Sequence, residues 1–313
     1  MTTLNQAMKE FQLAMKADSL SPDTIKQYKS IVGSYIRVVG DDTPITDIQR
    51  RDMRLYIVES LAGRDSRYME GKQRPTIEGG LSRDSIATHV TVLHRFWNWV
   101  ADEYDIKNPM NKIKRPKRST PQPKAISAED FVRLFNSTMD TEAGVRDRAI
   151  LSLFADTGTR LAGISQIKVA DIEGKKQRAY VTEKGGKSRL IFWTDITQHM
   201  AEHWLATRNS TCEMLFISMN YPEQPLTKGG ISQILKRLKK RGNVTGRANP
   251  HSFRNNFARE YLMNGGDLVT LSRLLGHEDI KVTAERYAVF SENELAEQHE
   301  KFSPIEMMME GVR

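Results

Sequence analysis

Residues 114–124 constrain this chain more than any other stretch. They read Lys-Arg-Pro-Lys-Arg-Ser-Thr-Pro-Gln-Pro-Lys. Proline fixes φ and removes a backbone donor, so this density of prolines excludes a helix interior or a central strand. The basic residues between them cannot enter a core. The stretch is therefore an extended linker, and a chain of 313 residues is expected to fold as two domains about it. The expected division is a helical domain over 1–113, the linker over 114–124, a second domain over 125–290 and a tail over 291–313.

The first part reads as helical. Leu4, Met8, Phe11 and Met15 recur at helical spacing. Ser21 and Pro22 have the chemistry of an N-cap and a first helical residue. Tyr28, Ile31, Val32 and Tyr35 then supply that helix's apolar face. A third helix is expected over 49–61, a polar loop over 63–80, and a fourth helix after Ser82. The fourth carries the stripe Ile86, Val90, Leu93, Trp97 and Val100. Aromatic residues at this spacing read as core, not as a platform for stacked bases.

Beyond the linker the pattern changes. Ser127-Ala-Glu-Asp130 has the form of a capping box, and residues 145–154 predict a long helix. Val169, Ile172, Tyr180, Val181, Leu190, Ile191, Phe192 and Trp193 are strand-type residues interrupted by Gly174 and Gly185-Gly186. They predict a small antiparallel sheet with a hairpin turn at 184–187. Helix returns from about residue 194. The fold class is mainly α with a small antiparallel β-sheet.

Charge narrows the partner. The chain carries a net charge of +8, which points to a polyanion, first of all nucleic acid. Residues 288–313 carry −4, so the tail is suited to contact protein rather than DNA. The single cysteine, Cys212, excludes an intrachain disulfide, reads as a packing residue and fits a reducing cytoplasm. No apolar run approaches ~18 residues and no signal peptide is visible, so no membrane association is expected. Residues 231–241 place Ile231, Ile234, Leu235 and Leu238 on one side of a helix. Lys236, Arg237, Lys239, Lys240 and Arg241 fill the rest and are expected to face DNA. So are Lys114, Arg115, Lys117 and Arg118 of the linker.

Chemistry concentrates in a few short runs. Pro250 fits the first turn of a helix capped by Asn249, which puts His251 and Arg254 on one face. Gly276 fits the left-handed position after a helix over 268–275 and leaves His277 just beyond it. A short helix over 280–289 carries Tyr287. Upstream lie Thr157-Gly-Thr-Arg160 and the hairpin run Glu183-Lys184-Gly-Gly-Lys187. A phosphodiester under attack accumulates negative charge, which guanidinium groups meet with paired donors. A phenol of pKa ~10 needs help losing its proton. Histidine can take that proton or stabilise the phosphate. A leaving alkoxide needs an acid, and a lysine at a hairpin tip can reach it. By contrast, His199-Met-Ala-Glu202-His203 matches a zinc-peptidase pattern without a third ligand, so it reads as a solvated helix face and no metal is expected.

Taken together and in this order, these runs resemble the tyrosine recombinase, or phage integrase, family. The likeness is dense over 125–290, and residues 1–113 are similar in style to the family's core-binding domain. The resemblance implies two domains closing around double-stranded DNA as a clamp. It implies that Tyr287 attacks the scissile phosphate, leaving a 3′-phosphotyrosyl link and a free 5′-hydroxyl. Arg160 and Arg254 would hold the non-bridging oxygens, and His277 would hydrogen-bond the phosphate. His251 would assist the tyrosine's proton transfer. Lys184 would protonate the leaving oxygen, with Lys187 on the same turn as the alternative. The phosphotyrosine conserves the bond energy, so neither ATP nor any other cofactor is implied.

The same resemblance implies a protein that is monomeric when free and tetrameric on two synapsed sites. It would act in the cytoplasm on the nucleoid, with accessory DNA-bending or directionality proteins as possible partners. The tail, with a short helix over 292–302 and the run Met307-Met308-Met309, would dock on a neighbouring protomer. Two positions depart from the family's pattern: Gly163 stands where Glu or Asp is usual, and Asn255 where His is common. The expected function is an integrase-type site-specific DNA recombinase, without room for the extra N-terminal arm-binding domain of some phage integrases. A Xer-like dimer resolvase, a type IB topoisomerase-like relaxing enzyme and a catalytically inactive DNA-binding regulator are the alternatives.

Overall fold

The computed structural model describes residues 1–64, 79–117, 124–182, 186, 188–305 and 308. The chain divides into two compact units, Met1–Pro121 and Gln122–Arg313.

The first unit is built from α1 (Leu4–Ala17), α2 (Pro22–Val39), α3 (Arg50–Leu55) and α4 (Arg83–Glu103). Leu4, Met8, Phe11 and Met15 are all buried along α1. Ser21 caps α2 by accepting from the Thr24 amide at 3.3 Å, with Pro22 in the first turn. The expected third helix is wound in two ways, because α3 opens into a π-helical segment over Tyr56–Ala62. There Tyr56 meets Tyr35 edge-on at 5.0 Å. Phe96 and Trp97 are fully buried, so the aromatic stripe of α4 is core. Most of the loop expected over 63–80 lies outside the described residues. Its ends are joined by the Leu81 amide donating to Leu61 O at 2.8 Å.

The second unit contains α5 (Ala128–Asn136), α6 (Glu142–Thr157), α7 (Leu161–Ser165), β1 (Ile172–Glu173), β2 (Arg178–Thr182) and β3 (Ser188–Phe192). It continues with α8 (Asp195–Thr207), α9 (Lys228–Arg241), α10 (Pro250–Met263), α11 (Leu268–Leu275), α12 (Ile280–Tyr287) and α13 (Glu292–Phe302). Apolar side chains surround α6, including Val145, Ala149, Ile150, Leu151, Leu153 and Phe154. The helix is buried on most sides, with Arg146 and Asp147 paired inside at 2.8 Å, and a helix so enclosed belongs in the middle of a core. Phe154 stacks on Phe253 of α10 at 5.7 Å, and burying each ring contributes roughly 1.5–3 kcal/mol.

Only half of the expected capping box forms at α5. Ser127 Oγ accepts from the Asp130 amide at 3.1 Å. The Asp130 carboxylate instead accepts from the Gly246 amide at 3.1 Å, a tertiary partner displacing the local one. The sheet is antiparallel in the order β1-β2-β3, with Val181 opposite Arg189 and Ala179 opposite Ile191. The tip of the β2–β3 hairpin, and with it Lys184 and Lys187, lies outside the described residues.

The C-terminal helix packs on its own unit. Glu294 pairs with Arg259 of α10, Gln298 donates to Met263 O at 3.0 Å, and Phe302 lies so close to Gly265 that a Cβ there would come within 2.9 Å of its ring. No helix among the described residues is long and apolar enough to cross a membrane.

Candidate active site

Four segments of the second unit converge. The first is the turn out of α6. Thr157 Oγ donates to Leu153 O at 2.6 Å and accepts from the Thr159 amide at 3.2 Å. Gly158 takes a left-handed conformation at φ 57°, where an added Cβ would come within 2.6 Å of Phe257. This tight turn presents Arg160 from extended backbone at the start of α7.

The second segment is α10. Asn249 and Ser252 form a reciprocal box around Pro250, which sets His251 at the exposed rim and Arg254 one turn further in, buried. Arg254 donates through Nη1 to Gly158 O at 2.9 Å and through Nη2 to Leu275 O at 2.8 Å. One guanidinium thus ties the α6 turn to the last carbonyl of α11, an acceptor that no helical amide reaches. Next to it, the Asn255 amide group donates to Lys124 O at 3.1 Å and binds the exit of the linker to the same helix.

The third and fourth segments are α11 and α12. Gly276 adopts φ 67° and ends α11, so His277 turns back over the site. Its Nε2 lies 2.8 Å from Arg254 Nη2 and its Nδ1 lies 2.7 Å from Thr283 Oγ1. The Tyr287 ring is buried against Leu262, Leu271 and Leu275. It lies nearly parallel to the His277 imidazole at 6.3 Å, with the Arg286 guanidinium 5.7 Å from its ring centre.

Positive charge is crowded here. Burial first, then neighbouring arginines, pushes Arg254 down to about 9 and lowers Arg160. Burial alone pushes Arg189 of β3 down to about 10. Tyr287 acts in the opposite sense on Arg160 and Arg254. Desolvation and the surrounding arginines push His277 down to about 4 and lower His251 as well. Both imidazoles are therefore neutral near pH 7, while the guanidinium groups remain charged. Such a centre is relieved by an anion, because a phosphate supplies the opposite charge that these groups lack from one another.

Arg160, His251, Arg254, His277 and Tyr287 all belong to this centre. Arg189, Arg286 and Thr283 join it without having been singled out among the expected site residues. A signal for two of them, Arg189 and Thr283, was present. Arg189 lies two residues before buried Ile191 on β3 and so shares its face, which puts an arginine on an inward face. Thr283 precedes Tyr287 by four residues and shares its helix face.

The expected DNA contacts divide. Lys114, Arg115 and Lys117 are exposed, and Arg118 lies outside the described residues. On α9, Lys236 and Lys240 are exposed. Arg237 instead donates to buried Asp147 at 2.6 Å, and Lys239 donates to the carbonyl oxygen of Gly246. The basic face of α9 is thus partly consumed in holding its own unit together. Among the described residues no group of three or more His, Cys, Asp or Glu could hold a metal. His199 and His203 stand exposed on α8.

The phage integrase family model matches residues 124–294. The tyrosine recombinase XerD of Listeria innocua serovar 6a is 28% identical over 295 residues, which cover 91% of this chain and 94% of the relative. The Tn1549 transposon integrase in complex with transposon right end DNA has a TM-score of 0.72 at 15% identity, covering 96% of this chain and 100% of the other. A lambda integrase tetramer bound to a Holliday junction gives 0.68 at 18% identity, covering 89% and 78%. The chain belongs to the phage integrase family of tyrosine recombinases. It is a site-specific DNA recombinase, an enzyme of DNA strand transfer.

Proposed function

We propose that Tyr287 is the nucleophile of this recombinase and that Arg160 and Arg254 clamp the phosphate it attacks. One observation carries the reading: a buried phenol, two guanidinium groups and two imidazoles meet inside a single chain. The phenolic oxygen attacks phosphorus in line. A tyrosyl–phosphorus ester forms at the 3′ side as the bond to the 5′-oxygen breaks. The phenol's proton passes to His251, whose neutral imidazole can accept it. The departing 5′-oxygen takes a proton from Lys184, or from Lys187 on the same hairpin. One phosphodiester is exchanged for another, so the reverse attack reseals DNA without an energy source. The arginines work by positioning and by stabilising charge as it develops.

The two units joined by the basic linker would grip duplex DNA, with Lys114, Arg115 and Lys117 along the phosphates. Four protomers would synapse two sites, a reading supported by the lambda integrase of this fold that is a tetramer bound to a Holliday junction. The tail would link them, since Leu295, Phe302 and Ile305 are exposed on or just after α13. An integrase role is the first reading. A Xer-like resolvase is the second, supported by the match over 94% of a XerD relative.

Trapping on nicked suicide DNA carrying candidate sites tests the chemistry. The wild-type chain is expected to form a covalent 3′ adduct. Tyr287→Phe is expected to bind the same DNA and form none. An adduct that persists in Tyr287→Phe removes Tyr287 as the nucleophile.

A further inference from the structure

Guanidinium nitrogens only donate hydrogen bonds. The 2.8 Å contact between Arg254 Nη2 and His277 Nε2 therefore makes Nε2 the acceptor. A neutral imidazole with a bare Nε2 carries its proton on Nδ1. That nitrogen lies 2.7 Å from Thr283 Oγ1, and Thr283 is fully buried on α12. We propose that Thr283 is a positioning residue: its Oγ1 accepts a hydrogen bond from Nδ1–H and holds His277 in the tautomer whose bare Nε2 aims the Arg254 guanidinium.

The inference rests on the reading of Arg254 as a phosphate clamp and gives that clamp its aiming device. Arg254 is then held at three points, Gly158 O, Leu275 O and His277 Nε2. The cations facing His277 favour the neutral ring: Arg254 from α10, Arg160 from the start of α7, Arg286 from α12 and Arg189 from β3. In this state the imidazole has no proton to offer a phosphate, so it acts through Arg254. Thr283 and Tyr287 occupy successive turns of one helix face. The helix that delivers the nucleophile therefore also orients the clamp, and both are lost together if α12 leaves the centre.

The test is the imidazole tautomer of His277, read by nitrogen NMR on the full-length DNA-free protein with isotope-labelled histidine near neutral pH. The wild type is expected to show a proton on Nδ1. Thr283→Val keeps the shape but removes the acceptor. It should lose that tautomer and cut nicked DNA about 10-fold more slowly, with DNA affinity unchanged. Thr283→Ser should restore both. A wild-type ring protonated on Nε2, or on both nitrogens, overturns the proposal. So does a Thr283→Val protein that keeps the Nδ1 proton and full cleavage. Should Thr283→Val fail to fold, the wild-type spectrum and Thr283→Ser decide the matter. The spectra need no catalysis: the expected tautomer in a protein that forms no covalent adduct would count against the roles proposed for Tyr287 and Arg254, whereas its absence from a protein that cleaves would count against Thr283 alone.

Discussion

Trp97 and Arg254 are both buried, and they mark the difference between the two units. The unit Met1–Pro121 fills its interior with rings: Phe11, Tyr35, Tyr56, Phe96 and Trp97. Its interior is held by area and edge-to-face contacts, such as Tyr35 on Tyr56 at 5.0 Å and Phe96 on Trp97 at 5.5 Å. The unit Gln122–Arg313 has such a core around α6, and next to it draws Arg254 and Arg189 inward with backbone carbonyls as partners. Burying a ring lowers the free energy of folding. Burying a cation raises it unless hydrogen bonds compensate. The second unit therefore holds part of its structure in a state that an incoming phosphate improves, and the first does not.

That contrast can be broken or sharpened by experiment. Trp97→Ala should cost ~3–5 kcal/mol of stability in denaturant unfolding, with cleavage per folded molecule retained. Arg254→Ala should do the converse. Cleavage of suicide DNA should fall ~10²–10³-fold, while the loss of stability stays below that of Trp97→Ala. Near-normal cleavage would remove Arg254 from the centre.

Acid gives a smaller effect. The folded His277 is held at about 4 against an ordinary value of 6.5, so the unfolded chain binds the proton first. Stability is then full above pH 6.5 and is lost as pH falls toward about 4, on the order of 2 kcal/mol after screening. Calorimetry across this window should show the limb, and His277→Gln should flatten it. A part will remain from His251, lowered by burial and the same arginines, and from His89 of the first unit, which burial and Arg64 also lower.

The smallest effect separates the two kinds of basic residue on α9. Lys240→Ala should reduce the log–log salt slope of DNA binding by ~0.9. Arg237→Ala should instead lower the thermal midpoint, because its carboxylate partner is buried.

Much of this protein is legible in local sequence. Ser21, Ser82, Ser127 and Asn249 cap the helices they precede, and Gly276 takes the left-handed turn that aims His277. These signals act between residues at most four apart, so backbone stereochemistry suffices to read them. The motif runs likewise announce an arginine, histidine and tyrosine chemistry before any coordinates.

What sequence could not supply is who meets whom across long separations. Gly158 and Arg254 are 96 residues apart, and Arg189 reaches Leu274 O across 85. Asp130 abandons its own helix for Gly246, 116 residues away. Arg237 and Lys239 look identical in pattern to Lys236 and Lys240, yet only packing gave the first pair partners within their own unit, Asp147 and Gly246 O. Residue types and their spacing determined that this chain could hold and attack a phosphodiester. The tertiary structure decided that the phenol and the guanidinium groups stand together in one chain, and which imidazole nitrogen faces them. Such contacts are selected by how whole helices fill space around a core, a property no short window of sequence contains.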